Sequence, residues 1–245
     1  MGNHELTVRF RKARRDRELT VVEGFHALKH ALRFGAELVE AVAVDPQALE
    51  RLADELAPDL AGRLAGRVEA IATEDLADLA PLVPRTGVLA IARRPPVDLA
   101  AVLADPRSAP VVLLERPKNM GNIGACIRVA AAADAAAVLT TGENDPWYPD
   151  AVRGAAGLHF ALPVTAIESL PASDRPLLAI DPEGEALRPG DLPPRAVLAF
   201  GTERHGISDE LLGRADSRVA IPMRAGVSSL NLATSVAIAL YSRIG

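Results

Sequence analysis

In the second half of the sequence, polar residues that could do chemistry lie in or directly beside apolar segments at three places. Asn122 and Arg128 lie in a segment rich in alanine and isoleucine, Glu203 lies between two glycines, and Ser229 and Asn231 precede another apolar segment. A polar group in a packed core costs about 1–3 kcal/mol unless it is paired, so such residues mark either a local cap or a bound polar ligand. Arginine donates several hydrogen bonds to phosphate or ribose oxygens and stays charged at any working pH.

Each of these residues also has a purely structural explanation. Ser229 can cap a helix, Glu203 can face solvent, and Arg128 can bind a neighbouring carbonyl or extend to water. Their placement favours a shared role, because the apolar runs that end at Phe200 and Ile221 predict two buried strands, each followed by a loop. Loops at the carboxyl edge of a parallel sheet are the usual ligand site of open α/β folds.

The second half of the chain alternates predicted strands with predicted helices, which indicates a parallel sheet covered by helices on both faces. The expected strands are at 110–115, 137–141, 162–166, 176–181, 196–200 and 219–221. A helix is expected over 125–133, and 145–157 is expected to be irregular. A second helix, over 230–241, is apolar on nearly every side, so we expect it to be buried, with Ser228 and Ser229 as its cap.

The first half of the chain predicts a smaller α/β unit. Its expected strands are at 19–24, 37–44, 68–72 and 86–92, and its expected helices are at 25–34, 46–60 and 73–80, the last capped by Thr73. Prolines at 95, 96, 106 and 110 predict a linker over 95–109. The predicted domains are therefore residues 1–94 and 110–245.

Composition limits the cellular context of the protein. A single cysteine, Cys126, excludes an intramolecular disulfide framework and fits a reducing compartment. The sequence shows neither a secretory signal pattern nor an apolar run long enough to span a membrane. We therefore expect a cytoplasmic protein without a membrane anchor.

The net charge of −5 argues against binding of nucleic acid over the whole surface. Residues 1–17, however, carry six basic and two acidic side chains, and such an arm can dock on phosphates. The candidate contacts are Arg9, Arg11, Lys12 and Arg14. The alternative is a solvated, frayed terminus.

A nicotinamide cofactor is disfavoured by the sequence. Residues 121–124 read Gly-Asn-Ile-Gly, which is not the full dinucleotide fingerprint, and no acidic residue follows the next strand near Thr140. A small-molecule oxidoreductase is therefore the least favoured enzyme class.

Three motifs taken together resemble the SpoU/TrmH class of RNA ribose 2′-O-methyltransferases in the SPOUT superfamily. They are N-I-G-A-C-I-R at 122–128, F-G-T-E-R-H-G-I-S at 200–208, and I-P-M at 221–223 followed by S-S-L-N-L-A at 228–233. The first half is similar, more loosely, to the family's small ribosomal-protein-like RNA-binding domain, through R-K-A-R, V-E-G-F and T-G-V-L-A-I. The resemblance covers most of residues 9–242.

The resemblance implies an α/β fold whose C-terminal parallel-sheet domain holds a deep trefoil knot. It also implies a homodimer formed through that domain, no metal, and S-adenosylmethionine as cofactor. The implied cofactor-binding residues are Phe200, Gly201, Thr202, Gly206, Ile221, Met223, Ser229, Leu230 and Ala233. The implied substrate is ribosomal RNA or transfer RNA, with Arg153 as a further RNA-facing candidate.

The resemblance gives Arg128 the central catalytic role, with Asn122, Glu203, Ser229 and Asn231 ordering loops or positioning ribose and cofactor. A guanidinium loses its proton with great difficulty, so we expect Arg128 to orient the hydroxyl and stabilise the developing alkoxide, with a phosphate as proton acceptor. Three alternatives stay open at this point. They are methylation of a base nitrogen, a catalytically silent RNA-binding protein, and a role in resistance to a ribosome-directed antibiotic.

Overall fold

The computed structural model describes residues 3–60, 62–202 and 205–243. The chain forms two compact units. The first comprises Met1–Pro96 and Trp147–Ala161, and the second comprises Val97–Pro146 and Leu162–Gly245. The segment 147–161 was predicted to belong to the C-terminal domain by continuity of sequence, but its contacts place it in the first unit.

The regular elements are named here in chain order. Helices of the described chain are α1 (Asn3–Ala13), α2 (Phe25–Arg33), α3 (Pro46–Leu56), α4 (Thr73–Leu79), α5 (Leu99–Ala104), α6 (Met120–Ala132), α7 (Pro149–Gly154), α8 (Asp209–Arg214) and α9 (Leu232–Tyr241). The strands are β1 (Leu19–Glu23), β2 (Leu38–Ala43), β3 (Glu69–Ala70), β4 (Val88–Arg93), β5 (Val111–Leu114), β6 (Ala137–Thr140), β7 (Val164–Ala166), β8 (Leu177–Ala186), β9 (Val197–Phe200) and β10 (Ser217–Ala220).

The sheet of the first unit has the strand order β1-β4-β2-β3. Strand β4 pairs antiparallel with both β1 and β2, and β3 adds a short parallel pairing to β2. Strand β3 is shorter than the predicted 68–72. Helix α4 begins at Thr73 itself, and no side chain caps it, so Thr73 is not the cap that the sequence predicted.

The N-terminal basic segment is a packed helix. Leu6, Phe10 and Ala13 are spaced along one face of α1 and enter the core of the first unit, where they join residues of β1, β2, β4 and α4. Arg11 and Lys12 are exposed on the remaining surface of the helix, together with Glu5 and Val8. A frayed terminus, which the sequence left open as the alternative, is therefore wrong.

The segment 147–161 is held to the first unit by close backbone contacts. Helix α7 packs against β1, and the Thr20 hydroxyl donates a hydrogen bond to the Trp147 carbonyl oxygen at 3.1 Å. Gly157 has a φ of +75°, and a Cβ there would lie 2.2 Å from the Ala27 carbonyl oxygen. Only glycine permits that approach. The irregular structure predicted for 145–157 is wrong, since 149–154 is helical.

The second unit is built on a six-stranded sheet of order β10-β8-β9-β5-β6-β7, in which every neighbouring pair is parallel. Strands β5, β6 and β9 are buried along their whole length, as expected for the centre of a parallel sheet. The prediction of an α/β fold with a parallel sheet is confirmed. The carboxyl ends of β9 and β5 lie side by side, with Phe200 in register with Leu114, and Phe200 also pairs with Ile180 in the middle of the longer strand β8.

Most of the predicted linker is part of the second unit. Helix α5 contributes Val102 and Leu103 to the core, and the buried guanidinium of Arg175 binds the backbone around it. That guanidinium donates hydrogen bonds to the carbonyl oxygens of Val102, Leu103, Asp105, Ala109 and Arg195. Burial lowers the pKa of Arg175. Four of these five carbonyls belong to the segment 102–109, so one side chain fixes that segment and ties it to Arg195.

Candidate functional site at the carboxyl edge of the parallel sheet

The loops that follow β5 and β9 are joined by a buried carboxylate. Glu115, one residue beyond β5, accepts hydrogen bonds from the Ser208 backbone N–H at 2.7 Å and from the Ser208 hydroxyl at 2.6 Å. Ser208 also caps α8, because its hydroxyl accepts from the Leu211 N–H. Glu115 therefore holds the loop 201–208 against the sheet. The signal in the sequence is the acidic residue that ends an otherwise apolar strand.

The loop 201–206 closes on itself at its base. Thr202 and Gly206 exchange two backbone hydrogen bonds, each 3.0 Å long. A Cβ on Gly201 would lie 2.0 Å from the Gly206 carbonyl carbon, so no other residue type fits at position 201 without moving the loop. Glu203, the predicted acidic site residue, lies outside the residues that the structure describes.

A cavity of about 370 Å³ opens beside this loop, within the size range of sites for small organic ligands. It is lined by Ile180, Asp181, Pro182, Phe200, Gly201, Thr202, Gly206, Ile221, Met223, Ser228, Ser229, Leu230, Leu232 and Ser235. Eight of the nine residues predicted to bind a cofactor are in this lining. The ninth, Ala233, is not. Apolar side chains and backbone line most of the cavity, with hydroxyls and one carboxylate between them.

The sequence missed the part of the cavity that β8 supplies. Ile180, Asp181 and Pro182 lie where β8 passes the end of β9. The apolar run before Asp181 indicated a strand, but nothing in its pattern indicated that this strand lies next to β9. Ser228, Leu232 and Ser235 were also missed as lining residues.

The start of α9 differs from the prediction. Asn231 caps the helix, because its side-chain oxygen accepts hydrogen bonds from the N–H groups of Ala233 at 2.9 Å and Thr234 at 3.4 Å. Ser228 and Ser229 were predicted to be the cap, but they precede the helix and line the cavity. The amide side chain of asparagine accepts as well as the serine hydroxyl does, and it lies in the right position.

Helix α9 is buried on one side only. Val236, Ala239 and Leu240 are buried, whereas Ile238 is 37% and Tyr241 50% exposed. The expectation that this helix is buried all round is therefore wrong for the chain as described. Its second apolar side has no cover within the described residues.

Asn122 and Asn231, more than a hundred residues apart in sequence, meet at the same edge. The Asn231 amide donates a hydrogen bond to the Asn122 side-chain oxygen at 3.1 Å, and α6 packs against α9. Helix α6 begins at Met120, five residues earlier than predicted, because Asn119 caps it by accepting from the Asn122 N–H. The prediction placed this start too late because glycines 121 and 124 weaken the helical pattern.

Arg128 lies in the third turn of α6, not in its first two turns as predicted. Its side chain is exposed and makes no hydrogen bond or ion pair with another described residue. It is not among the residues that line the cavity. Among residues 3–60, 62–202 and 205–243, therefore, no ion pair of Arg128 would have to break for its guanidinium to bind a ligand.

The predicted RNA contacts fall into two groups. Arg11 and Lys12 are exposed on α1 and pair with no other described residue. Arg9, Arg14 and Arg153 are held by carboxylates: Arg9 by Glu40 at 2.6 Å, and both Arg14 and Arg153 by Glu23, at 2.7 and 2.6 Å. Arg153 also binds Asp150.

The carboxylates around these arginines affect their titration. Partial burial acts to lower the pKa of Arg153, but the charges of Glu23 and Asp150 outweigh it, and the pKa is raised. Burial raises the pKa of Glu40 even though Arg9 opposes the shift. Arg153 therefore stays charged, and its charge is largely committed within the first unit.

Two further features bear on the class of protein. In residues 3–60, 62–202 and 205–243, no group of three or more His, Cys, Asp or Glu side chains is placed to hold a metal ion. No helix in the same ranges is long and apolar enough to cross a membrane.

The fold and cavity define an open parallel α/β domain with a small-molecule cleft at the carboxyl edge of its sheet. The description of the SpoU rRNA methylase family matches residues 109–241. The chain belongs to this family, and the resemblance seen in the motifs is confirmed.

The chain is also similar in sequence to proteins that are named as RNA methyltransferases. A protein named 23S rRNA (adenosine(1067)-2′-O)-methyltransferase from Streptomyces laurentii is 31% identical over 91% of this chain and 84% of its own length. An uncharacterized tRNA/rRNA methyltransferase of Mycobacterium bovis is 37% identical over 64% of this chain. That match spans only 59% of the mycobacterial relative's length.

The fold also matches solved structures. The SpoU methyltransferase AviRb from Streptomyces viridochromogenes, in complex with the cofactor AdoMet, superposes with a TM-score of 0.76. The sequence identity is 26%, and the match covers 96% of both chains.

Proposed function

We propose that this protein is an S-adenosylmethionine-dependent RNA methyltransferase that transfers a methyl group to a ribose 2′-hydroxyl of ribosomal RNA. The observation that carries the proposal is the 370 Å³ cavity, lined by two of the three family motifs, in a chain of the SpoU family. The Streptomyces laurentii relative is named for this reaction on 23S rRNA. Transfer RNA is the second candidate, because the mycobacterial relative is named a tRNA/rRNA methyltransferase.

The cavity fits the proposed cofactor, which supplies an activated methyl group on a sulfonium sulfur. Phe200, Ile221 and Leu232 present apolar surface suited to a purine face. The hydroxyls of Ser228 and Ser229, together with the backbone of the loop 201–206, offer donors and acceptors for ribose and amino acid groups. Ala233 is next in sequence to the lining residue Leu232, and its small side chain would let the backbone of α9 approach the cofactor closely.

Arg128 is the proposed catalytic residue. Its exposed guanidinium can orient a ribose hydroxyl and stabilise the alkoxide that develops as the proton leaves to a phosphate oxygen. The Asn122–Asn231 hydrogen bond links α6, which carries Arg128, to α9, which borders the cavity. We assign Asn122, Asn231 and Ser229 to positioning, and Glu203 to ordering the loop that contains it.

The first unit is the proposed RNA-binding domain, with the limits 1–96 and 147–161. Exposed Arg11 and Lys12 are the proposed phosphate contacts. The ion pairs of Arg9, Arg14 and Arg153 give these three residues a structural role in the same unit. This division revises the expectation that all five contact RNA.

We also propose that the second unit contains a trefoil knot and forms a homodimer. The proposed location of the protein is the cytoplasm. After β10, at one edge of the sheet, the chain continues into α9. This helix packs against α6, which follows the central strand β5. Arg243 binds the carbonyl oxygens of Ser108 and Ala133 after that crossing, a path compatible with threading. The exposed Ile238 and Tyr241 on α9 supply an apolar face for a second copy.

The test is methyl transfer from labelled S-adenosylmethionine into unmodified ribosomal RNA, followed by digestion to nucleosides and mass spectrometry. We expect a 2′-O-methylated nucleoside. A methylated base would overturn the proposed reaction, and incorporation into transfer RNA alone would overturn the proposed substrate. Absence of both incorporation and cofactor binding would indicate an RNA-binding protein without catalysis.

A further inference from the structure

Asp181 is the one formally charged side chain among the described residues that line the cavity. It lies on β8 beside the cavity, one residue beyond Ile180, which pairs with Phe200. Its Oδ1 accepts a hydrogen bond from the Glu183 N–H at 2.9 Å, which fixes the carboxylate at the rim. The remaining described lining groups are apolar side chains, backbone and hydroxyls, so Asp181 supplies the only formal charge among them.

The proposed cofactor and its product differ by one positive charge. S-adenosylmethionine carries a sulfonium and an ammonium against one carboxylate, whereas the thioether product retains only the ammonium and the carboxylate. During transfer the S–CH₃ bond breaks, its electron pair stays on sulfur, the O–CH₃ bond forms, and the hydroxyl proton passes to a phosphate oxygen of the RNA. A site that binds the cofactor more tightly than the product must therefore distinguish a cation from a nearly isosteric neutral molecule.

The cavity is small enough for the charge of Asp181 to act on a ligand anywhere inside it. We take about 10 Å or less as the separation between this carboxylate and a sulfonium bound in the 370 Å³ cavity. At an effective dielectric constant of about 20 to 40, one unit charge at that distance changes a binding constant about fourfold to fifteenfold.

We propose that Asp181 is a specificity-determining residue that makes the cavity prefer the sulfonium cofactor over the thioether product, and so limits product inhibition. The inference rests on the proposed function of the cavity. Asp181 thus strengthens cofactor binding and does not accelerate the transfer step. Because the sulfonium charge fades during methyl transfer, Asp181 stabilises the bound cofactor more than the transition state.

The test compares Asp181→Asn with the wild-type protein by calorimetric titration of S-adenosylmethionine and S-adenosylhomocysteine. Asparagine keeps a side-chain oxygen that can accept from the Glu183 N–H, so the local turn is retained. The matched control is Glu183→Gln, which removes a negative charge two residues away on a side chain that is 85% exposed and outside the cavity lining.

We expect Asp181→Asn to lower the ratio of product to cofactor dissociation constants about fourfold or more, through weaker cofactor binding. In steady-state assays the KM for the cofactor rises while kcat is unchanged or higher. Glu183→Gln leaves the ratio within about twofold, because its charge is screened.

An equal loss of affinity for both ligands in Asp181→Asn would overturn the proposal, since it would show contact with the part that the ligands share. Unchanged affinity for both ligands would overturn it as well, since it would show that the charge of Asp181 does not act on the ligand. Failure of the proposed function is a different result: the wild-type protein would then bind neither ligand.

Discussion

Arginines serve two different purposes in the two units of this molecule. In the first unit, Arg14 and Arg153 converge on the buried carboxylate of Glu23. Arg14 directly follows α1, whereas Arg153 lies more than a hundred residues later. In the second unit, Arg128 is exposed on α6 and pairs with no other described residue. Residue type alone does not distinguish the two environments.

The difference lies in what neutralises each charge. Removing one partner from a buried ion pair leaves an uncompensated charge, so Arg14 and Arg153 are required by the fold. A guanidinium without a carboxylate keeps its hydrogen-bonding capacity for a phosphate or a ribose hydroxyl. The comparison predicts that substitutions at Glu23 affect stability, whereas substitutions at Arg128 affect chemistry.

The sharpest test is Arg128→Ala. We expect methyl transfer to fall at least about 100-fold, because a charge that stabilises the alkoxide is lost. Affinity for the cofactor should change by less than about twofold, since Arg128 is outside the cavity lining. Single-turnover transfer and calorimetry measure the two effects. Arg107→Ala, at the opposite edge of the sheet, is the control; a similar loss there would remove the special role of Arg128.

Gly201→Ala tests the loop that shapes the cavity. The added Cβ would meet the Gly206 backbone, so the loop must shift and cofactor affinity should fall about tenfold or more. In Gly213→Ala the new Cβ meets nothing within 4 Å, and binding should stay as in the wild-type protein. Calorimetry with the cofactor distinguishes the two variants, and wild-type affinity in Gly201→Ala would contradict the described geometry.

Glu23→Gln tests the buried ion pairs. We expect the free energy of unfolding of the first unit to fall by about 2–3 kcal/mol, below the usual range for buried pairs because Arg153 is 40% exposed. Urea titration followed by the fluorescence of Trp147 reports on this unit, which contains the single tryptophan of the chain. The exposed Arg33–Asp59 pair is the control, and Asp59→Asn should move the midpoint little.

Asn231 has two roles that a pair of variants can separate. Asn231→Ala removes both the cap of α9 and the bond to Asn122, and should cost about 1 kcal/mol of stability together with a loss of transfer. Asn231→Asp keeps the capping oxygen but not the amide donor. If the Asn122 contact positions the site, Asn231→Asp should recover stability but not activity; recovery of both would assign Asn231 to capping alone.

The smallest expected effect is on RNA binding by the first unit. The double variant Arg11→Ala, Lys12→Ala should weaken RNA binding a few-fold and reduce the slope of log affinity against log salt by about 1.4. Filter binding at several salt concentrations measures both quantities. An unchanged slope would exclude these two side chains as phosphate contacts, and the exposed basic face of α1 would then have another use.

Local patterns in the sequence predicted the strands of the second unit and most of the residues that line its cavity. Short apolar runs that end in glycine or proline, such as those before Gly201 and Pro222, identified strands whose loops meet at one edge. In a parallel sheet the carboxyl ends must share an edge, so strand assignment alone brought most of the cavity together. The contribution of Asp181 was missed, because the order of strands in the sheet is not encoded in any one of them.

The first unit shows the limit of such patterns. The basic residues of α1 concealed an apolar stripe of only three residues, Leu6, Phe10 and Ala13. The pairing of Arg153 with Glu23 joins residues 130 positions apart, and no local periodicity reports on a contact of that range. The family resemblance therefore made Arg153 a candidate RNA contact, although its ion pairs with Glu23 and Asp150 hold it within the unit.

The discontinuity of the first unit also affects its biosynthesis. Its last segment, 147–161, leaves the ribosome about 65 residues after Pro96, a delay of roughly 3 to 13 s at ordinary rates of elongation. During that interval β1 lacks α7, and Glu23 has only one of its two arginines. The first unit therefore cannot fold completely until residues 97–146 of the second unit, and then its own segment 147–161, have been synthesised.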